Sequence, residues 1–345
     1  MVQTIRLPGR RGVTLSTVGG AELLRDVVER EVLADHAGMS GAGLERVRLA
    51  DGRRLVVKRL TPQTDITLKL VGGTVGREYL LWRTGALDRL PTGVSHALVG
   101  GWVEDDATVL VMRDLGDAIL TWDDRLTAAQ TRMVVDRIAR LHVAFLANPP
   151  TDLVPLVHVL DLFAPHRIDG LAAEGNELAR LARRGWELFQ EQVDDEVAGP
   201  AMRLLADIRP LAEALLRGPV TLLHGDLATV NMALEGDDLV LLDWALPTAG
   251  PGALDVARFL AGCSSVVALE RDEVLAAYER AAGPAVDASS MTAALLAGLL
   301  WLGWNKALDA AEHPDETVRA REAADLAWWV GRAREALDEG VVTWS

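Results

Sequence analysis

The chain has 345 residues, half of them apolar and a quarter charged, a globular composition with room for one large domain or two ordinary ones. Its 50 Asp and Glu against 35 Lys and Arg give a formal net charge of −15, which argues against nucleic acid or anionic lipid as the main partner, since both call for a basic surface. Cys263 is the one cysteine, so no intramolecular disulfide forms and a reducing compartment, the cytoplasm, fits best.

The opening MVQTIRLPGRRGVTL lacks the apolar core of a signal peptide. Over residues 21–36, Leu23, Leu24, Val27, Val28, Val32 and Leu33 form a stripe that predicts a helix. LERVRLADGRRLVVKRL (44–60) reads as a β-hairpin turning at Asp51-Gly52. REYLLWRTGALDRL (77–90) predicts a second helix, stopped by Pro91, and 97–115 a strand pair turning at Glu104-Asp105-Asp106. After about residue 114 long helices dominate, beginning with 127–146, where Thr127 and Gln130 have capping-box spacing. Residues 171–216 continue the helical character. A strand over 220–226 and a strand pair over 232–245, turning at Gly236-Asp237, interrupt it before helices fill the chain to about 338. The most apolar stretch, MTAALLAGLLWLGW (291–304), falls short of the roughly 20 residues that cross a bilayer, so it reads as a core helix and no membrane partner is expected. The pattern predicts an α+β, two-lobed architecture: a β-rich N-lobe over 1–113 and a mainly helical C-lobe over 114–345.

Chemistry concentrates in LLHGDLATVN (222–231). Asp226 and Asn231 stand five apart on one loop, and Asp243 follows at the end of the next hairpin. Oxygen donors so arranged suit a hard cation such as Mg2+, which takes one or two carboxylates and completes its shell from phosphates and water. The spacing matches the H-R-D-x-x-x-x-N loop of kinases, in which the Asp faces the acceptor hydroxyl and the Asn holds a metal. Taken alone, the segment also reads as an ordinary polar turn. The first lobe supplies the groups that the template requires, in the required order: Lys58 on the strand LVVKRL, then Glu78 at the start of a helix. Of two glycine clusters, Gly38/Gly41/Gly43 precedes the Lys58 strand and is the better phosphate loop, with Ser40 as an added donor; VGGTVG (71–76) leads into the Glu78 helix.

LLHGDLATVN, LVLLDWA and GALDVARFL together resemble the aminoglycoside phosphotransferase and choline kinase-like superfamily, over roughly residues 30–265. That resemblance implies a bilobal protein-kinase-like fold and an ATP-dependent small-molecule kinase using Mg2+, two ions; the choice between ATP and GTP stays open. It implies that Asp226 orients the acceptor hydroxyl and accepts its proton, and that Asn231 and Asp243 bind Mg2+. Lys58 would contact the α/β-phosphates, paired with Glu78, while Ser40 and Gly41 approach the nucleotide. Arg113, Asp114 and Leu115 would line the adenine edge. His224 and Asp255 would brace the catalytic loop, with His142 packed beneath it. The phosphate loop departs from the family pattern, and no basic residue stands between Asp226 and Asn231 as it does in protein kinases.

The acceptor is a small hydroxyl compound: an aminoglycoside, amino sugar, sugar or amino alcohol. Trp301, Trp304 and Asn305 on one helix are candidate acceptor contacts, with Trp328 and Trp329 on another; core packing is the plainer reading of the tryptophans. Asp123 and Asp124 would suit a cationic acceptor or simply form a solvated loop. The main rival is a pseudokinase that binds nucleotide as a regulatory module. A helical binding protein with an accidental HGD loop is a further one. The sequence leaves the oligomeric state open.

Overall fold

The computed structural model describes residues 20–33 and 41–344. Ser40 and Gly38, expected near the nucleotide, lie outside these described residues. In chain order the first elements are strands β1 (Val27–Val32), β2 (Gly43–Leu49) and β3 (Arg54–Leu60), helices α1 (Ile66–Val71) and α2 (Arg77–Arg83), and strands β4 (Val94–His96), β5 (Leu98–Glu104) and β6 (Ala107–Arg113). Helices α3 (Ala128–Ala144), α4 (Leu156–Leu160), α5 (Pro165–Ala173), α6 (Glu177–Gln192), α7 (Asp195–Ala206) and α8 (Arg209–Leu215) follow. Then come β7 (Thr221–Leu223), β8 (Met232–Glu235), β9 (Asp238–Leu241), β10 (Thr248–Gly250), α9 (Ala253–Cys263), α10 (Arg271–Ala282), α11 (Ala288–Glu312) and α12 (Glu316–Asp338).

The chain divides into two compact units, residues 1–121 with 232–245, and residues 122–231 with 246–345. The change from β-rich to helical sequence suggests a single boundary, after residue 113. Hydrogen bonding accounts for the discontinuity: β9 pairs in parallel with β4, β8 pairs with β9, and Leu120 donates its backbone N–H to Met232. The strand pair 232–241 therefore belongs to the first unit although its sequence neighbours belong to the second.

In the first unit a five-stranded sheet runs in the order β1-β2-β3-β6-β5, beside the three-stranded β4-β9-β8. Alternation in β2 and β3 buries Val47, Leu49, Leu55 and Val57, which pack with Val109 and Val111 of β6. The expected hairpins over 44–60 and 97–115 are both present. The helix expected over 21–36 is not: its described part is a turn of 3-10 helix, Gly20–Leu24, followed by β1. Edge pairing overrides the helical stripe, because β1 sets Glu29, Arg30 and Glu31 against Arg48, Glu45 and Arg46 of β2. Leu23, Leu24 and Val27 still reach the core, while Val28 and Val32 face solvent. The helix expected over 77–90 is α2 alone, since Gly85 turns left-handed (φ 74°) and a 3-10 turn follows. Helix α1 is an addition, capped by the Asp65 side chain and closed by Gly72 of VGGTVG.

The second unit is mainly helical. The capping box of Thr127 and Gln130 opens α3 as expected, and the apolar stretch 291–304 lies in α11, a buried core helix. No described helix is long and apolar enough to cross a membrane. The short ladder β10-β7 carries the chain into the HGD loop.

Candidate active site

Two sets of polar side chains stand out, one in each unit. In the first, β3 carries the buried Lys58 on the face opposite Leu55 and Val57, and α2 carries Glu78 on its first turn. Lys58 Nζ lies 2.6 Å from Asp243 Oδ1 and 3.6 Å from Glu78 Oε2. Lys58 and Glu78 are only 7% and 3% exposed, whereas the Asp243 side chain is 35% exposed. Burial alone would lower the Lys58 pKa, but the carboxylates of Asp243 and Glu78 outweigh it and hold the ammonium above its ordinary value. The opposite holds for Glu78. Burial raises its carboxyl, and the pull of Lys58 only partly offsets this, with Asp243 adding a further upward push. The cluster thus has one more carboxylate than it has ammonium.

Asp243 follows β9 with φ 55°, a left-handed conformation that aspartate tolerates better than most residues and that tends to persist at functional positions. A small pocket beside these groups is lined also by Asp65, Thr67, Gly76 and Arg77. Gly41, at φ 84°, packs so close to the Thr64 carbonyl that a Cβ would collide with it. Arg113 pairs with Glu235 at 3.1 Å, Asp114 with Arg46 at 3.0 Å, and Leu115 is buried with Ala97, Ala233 and Val240.

In the second unit β7 delivers His224, Gly225 and Asp226 into a loop gripped by α9. The Asp255 carboxylate accepts the backbone N–H groups of His224 (2.8 Å) and Gly225 (2.9 Å), and His142 Nε2 lies 3.2 Å from it. His142 Nδ1 is 2.7 Å from the Tyr278 hydroxyl, so with Nε2–H donating to Asp255 it accepts from the tyrosine. Burial raises the Asp255 pKa, yet the hydrogen bond from His142 and the loop N–H groups win and hold it below the ordinary carboxylate range. Gly225 has φ 82°, and a Cβ there would collide with the Leu246 carbonyl. Glycine is required on both counts. The Asp226 backbone N–H also donates to His224 Nδ1 at 3.3 Å.

Asn231 Nδ2 donates to the Asp226 carbonyl oxygen (2.8 Å) and to Asp226 Oδ2 (3.3 Å). That bond turns the amide oxygen of Asn231 to its other side. An amide oxygen, like a carboxylate, is a hard oxygen donor of the kind Mg2+ takes. Among the described residues no group of three or more His, Cys, Asp and Glu is placed to hold a metal ion. Of the candidate acceptor contacts, Trp301 and Trp304 are buried in α11; Trp304 packs on Phe163 with ring centroids 5.4 Å apart, and Asn305 donates to Asp309 at 3.2 Å. Trp329 is buried against Gly298, and Asp123 and Asp124 are exposed ahead of α3.

One contact lies outside the sequence reading. Arg258 Nη2 donates to Asp226 Oδ1 at 2.7 Å. The available signal was its place in GALDVARFL, three residues after Asp255 and so on the same face of α9.

The model of the phosphotransferase enzyme family matches residues 78–289, more than half of the chain. No curated protein sequence matches. Among solved structures, the choline kinase LicA of Streptococcus pneumoniae is similar, with 13% identity, covering 90% of this chain and 95% of its own, at a TM-score of 0.52. An ethanolamine kinase of Plasmodium vivax has 12% identity, with 90% and 84% covered, also at 0.52. An aminoglycoside phosphotransferase of Alicyclobacillus acidocaldarius has 17% identity, with 91% and 92% covered, at 0.47. The fold is of the protein-kinase-like type, with a β-rich first unit and a mainly helical second one. The chain belongs to the phosphotransferase enzyme family and is a small-molecule kinase with an alcohol group as acceptor.

Proposed function

We propose that the chain transfers the γ-phosphoryl group of ATP to a hydroxyl of an aminoglycoside, amino sugar, sugar or amino alcohol, with Asp226 as the residue that faces the acceptor. The observation that carries this reading is the treatment of Asp226. Its loop is gripped at two successive N–H groups by Asp255, and both its carboxylate oxygens have a donor within 3.3 Å. A carboxylate so fixed can orient an incoming hydroxyl and take up its proton as the bond to phosphorus forms. His224 and Asp255 act by bracing the loop.

Lys58 meets the α/β-phosphates, which suits an ammonium kept charged inside the protein, and Glu78 holds it. Gly41 and Ser40 approach the nucleotide, and Arg113 and Leu115 flank its base. Asn231 and Asp243 supply the oxygens for Mg2+, two ions, whose contribution when bound is to offset negative charge on the phosphoryl oxygens. Trp301, Trp304 and Asn305 belong to the acceptor side. The acidic net charge speaks for a small molecule rather than nucleic acid, and buried Cys263 together with ATP use suits the cytoplasm.

An acceptor panel with coupled ADP release, run with ATP and then GTP, tests this. Asp226→Ala should lower turnover by about 10²–10⁴-fold while Mg·ATP still raises the melting temperature. Undiminished turnover in that variant would remove Asp226 from its role.

A further inference from the structure

The four residues between Asp226 and Asn231 are Leu227, Ala228, Thr229 and Val230, so the catalytic loop contains no cation of its own. Helix α9 brings one to it. Arg258 Nη2 stands 2.7 Å from Asp226 Oδ1, and the Arg258 residue is only 8% exposed. Asp226 is its one hydrogen-bonding side chain among the described residues, and its Nε and Nη1 have no hydrogen-bond partner there.

The surroundings are shaped to the guanidinium. The Trp301 ring centroid lies 5.7 Å from Cζ, a cation–π distance. Gly262, one helical turn further along α9, leaves room for Nη1, since a Cβ there would stand 2.5 Å away. One face of α9 thus controls three successive loop residues: Asp255 holds the N–H groups of His224 and Gly225, and Arg258 holds the carboxylate of Asp226.

We infer that Arg258 is a positioning residue for phosphoryl transfer, supplying from α9 the cation that the loop lacks and fixing the Asp226 carboxylate toward the acceptor. A buried guanidinium with a single anionic partner is held to that partner, because parting them leaves an uncompensated charge in the interior. Arg258 grips Oδ1 while Asn231 Nδ2 lies 3.3 Å from Oδ2, so two points define the plane of the carboxylate and oppose its rotation. Reactions that depend on orientation lose rate steeply when the aim is lost. This inference rests on the acceptor-facing role proposed for Asp226.

The test uses the full-length protein in two measurements. In the first, thermal unfolding of Asp226→Asn, Arg258→Gln and the double variant forms a cycle. The losses in melting temperature should be clearly less than additive, and strict additivity would overturn the inference whichever acceptor the enzyme uses. In the second, steady-state kinetics with an acceptor from the panel compare the same variants with Arg258→Lys and Arg258→Ala. Arg258→Gln should lower kcat by about 100-fold and leave the KM for ATP within about twofold. Arg258→Lys should recover part of the rate, and so should guanidinium ion added at sub-denaturing concentration to Arg258→Ala. A packing role alone predicts neither recovery. Asp226→Asn inactive beside Arg258→Gln at wild-type kcat would sink the positioning role and leave the assignment of Asp226 standing; Asp226→Asn at full turnover would overturn both.

Discussion

In the first unit, one ammonium, Lys58, directly holds two carboxylates, Glu78 and Asp243. In the second, a single buried carboxylate, Asp255, anchors the loop through two backbone N–H groups and a histidine. The first arrangement is unequal in charge, and its Asp243 is partly open to water, so a change of ligand can redistribute its partners. The second is enclosed, and its members have fixed donors and acceptors: burial keeps the Tyr278 hydroxyl protonated, and His142 links it to Asp255. The contrast teaches that a charge cluster proposed to meet the nucleotide is better left adjustable, whereas a carboxylate proposed to face the acceptor calls for a rigid seat.

Removing the anchor should have the largest effect. Asp255→Ala strands the N–H groups of His224 and Gly225 in the interior, at about 1–3 kcal/mol each, and should abolish turnover as the loop loses its shape. Urea unfolding measures the first and ADP release the second. A stability loss below about 1 kcal/mol would mean that water takes the place of the carboxylate, and the rigidity assigned to this seat would be wrong.

The charge cluster should respond unevenly. Lys58→Met removes the ammonium that Glu78 and Asp243 share. Because Asp243 is partly solvated and burial raises the Glu78 carboxyl, the cost should fall below the roughly 3–5 kcal/mol of breaking a fully buried pair. Glu78→Gln retains the 2.6 Å contact between Lys58 and Asp243 and removes a charge that burial disfavours, so it should be the milder change. Melting temperatures of the two variants at one pH decide the matter. If Glu78→Gln were the more damaging, Glu78 rather than Asp243 would be the principal partner of Lys58.

The same contrast explains what is legible in the sequence. Features that depend on near neighbours can be read directly: the hairpin over 44–60 from its alternation and Asp51-Gly52 turn, the start of α3 from Thr127 and Gln130, and the HGD loop from its spacing. Lys58 and Asp243 lie 185 residues apart, yet their order along a known template makes them legible too. What escapes is whatever depends on where an element docks. VVEREV falls on a helical stripe, and its β-branched valines with the edge of β2 make it a strand. Arg258 looks like any helix arginine until the packing of α9 brings it to Asp226, 32 residues away. The strand pair 232–241 reads as part of the helical half because its partner β4 is remote in sequence.

The smallest effect distinguishes the two units by pH. His96, on β4 of the first unit, has a pKa pushed down to about 4 from 6.5 by burial, assisted by the positive charge of Arg113. Its Nδ1 has no hydrogen-bond partner among the described residues. The folded value lies below the unfolded one, so this histidine's contribution to stability is complete above pH 6.5 and is lost as pH falls from 6.5 toward 4. By about pH 5 the loss should be roughly 2 kcal/mol. Asp255 titrates on the acid side of the ordinary carboxylate range, so the HGD loop should keep its anchor over that interval. His96→Gln should therefore flatten the decline in stability between pH 7 and about pH 5, as read by urea unfolding at each pH. An unchanged slope in that variant would mean that a different group carries the acid sensitivity, and the first unit would lose its claim to be the more pH-responsive of the two.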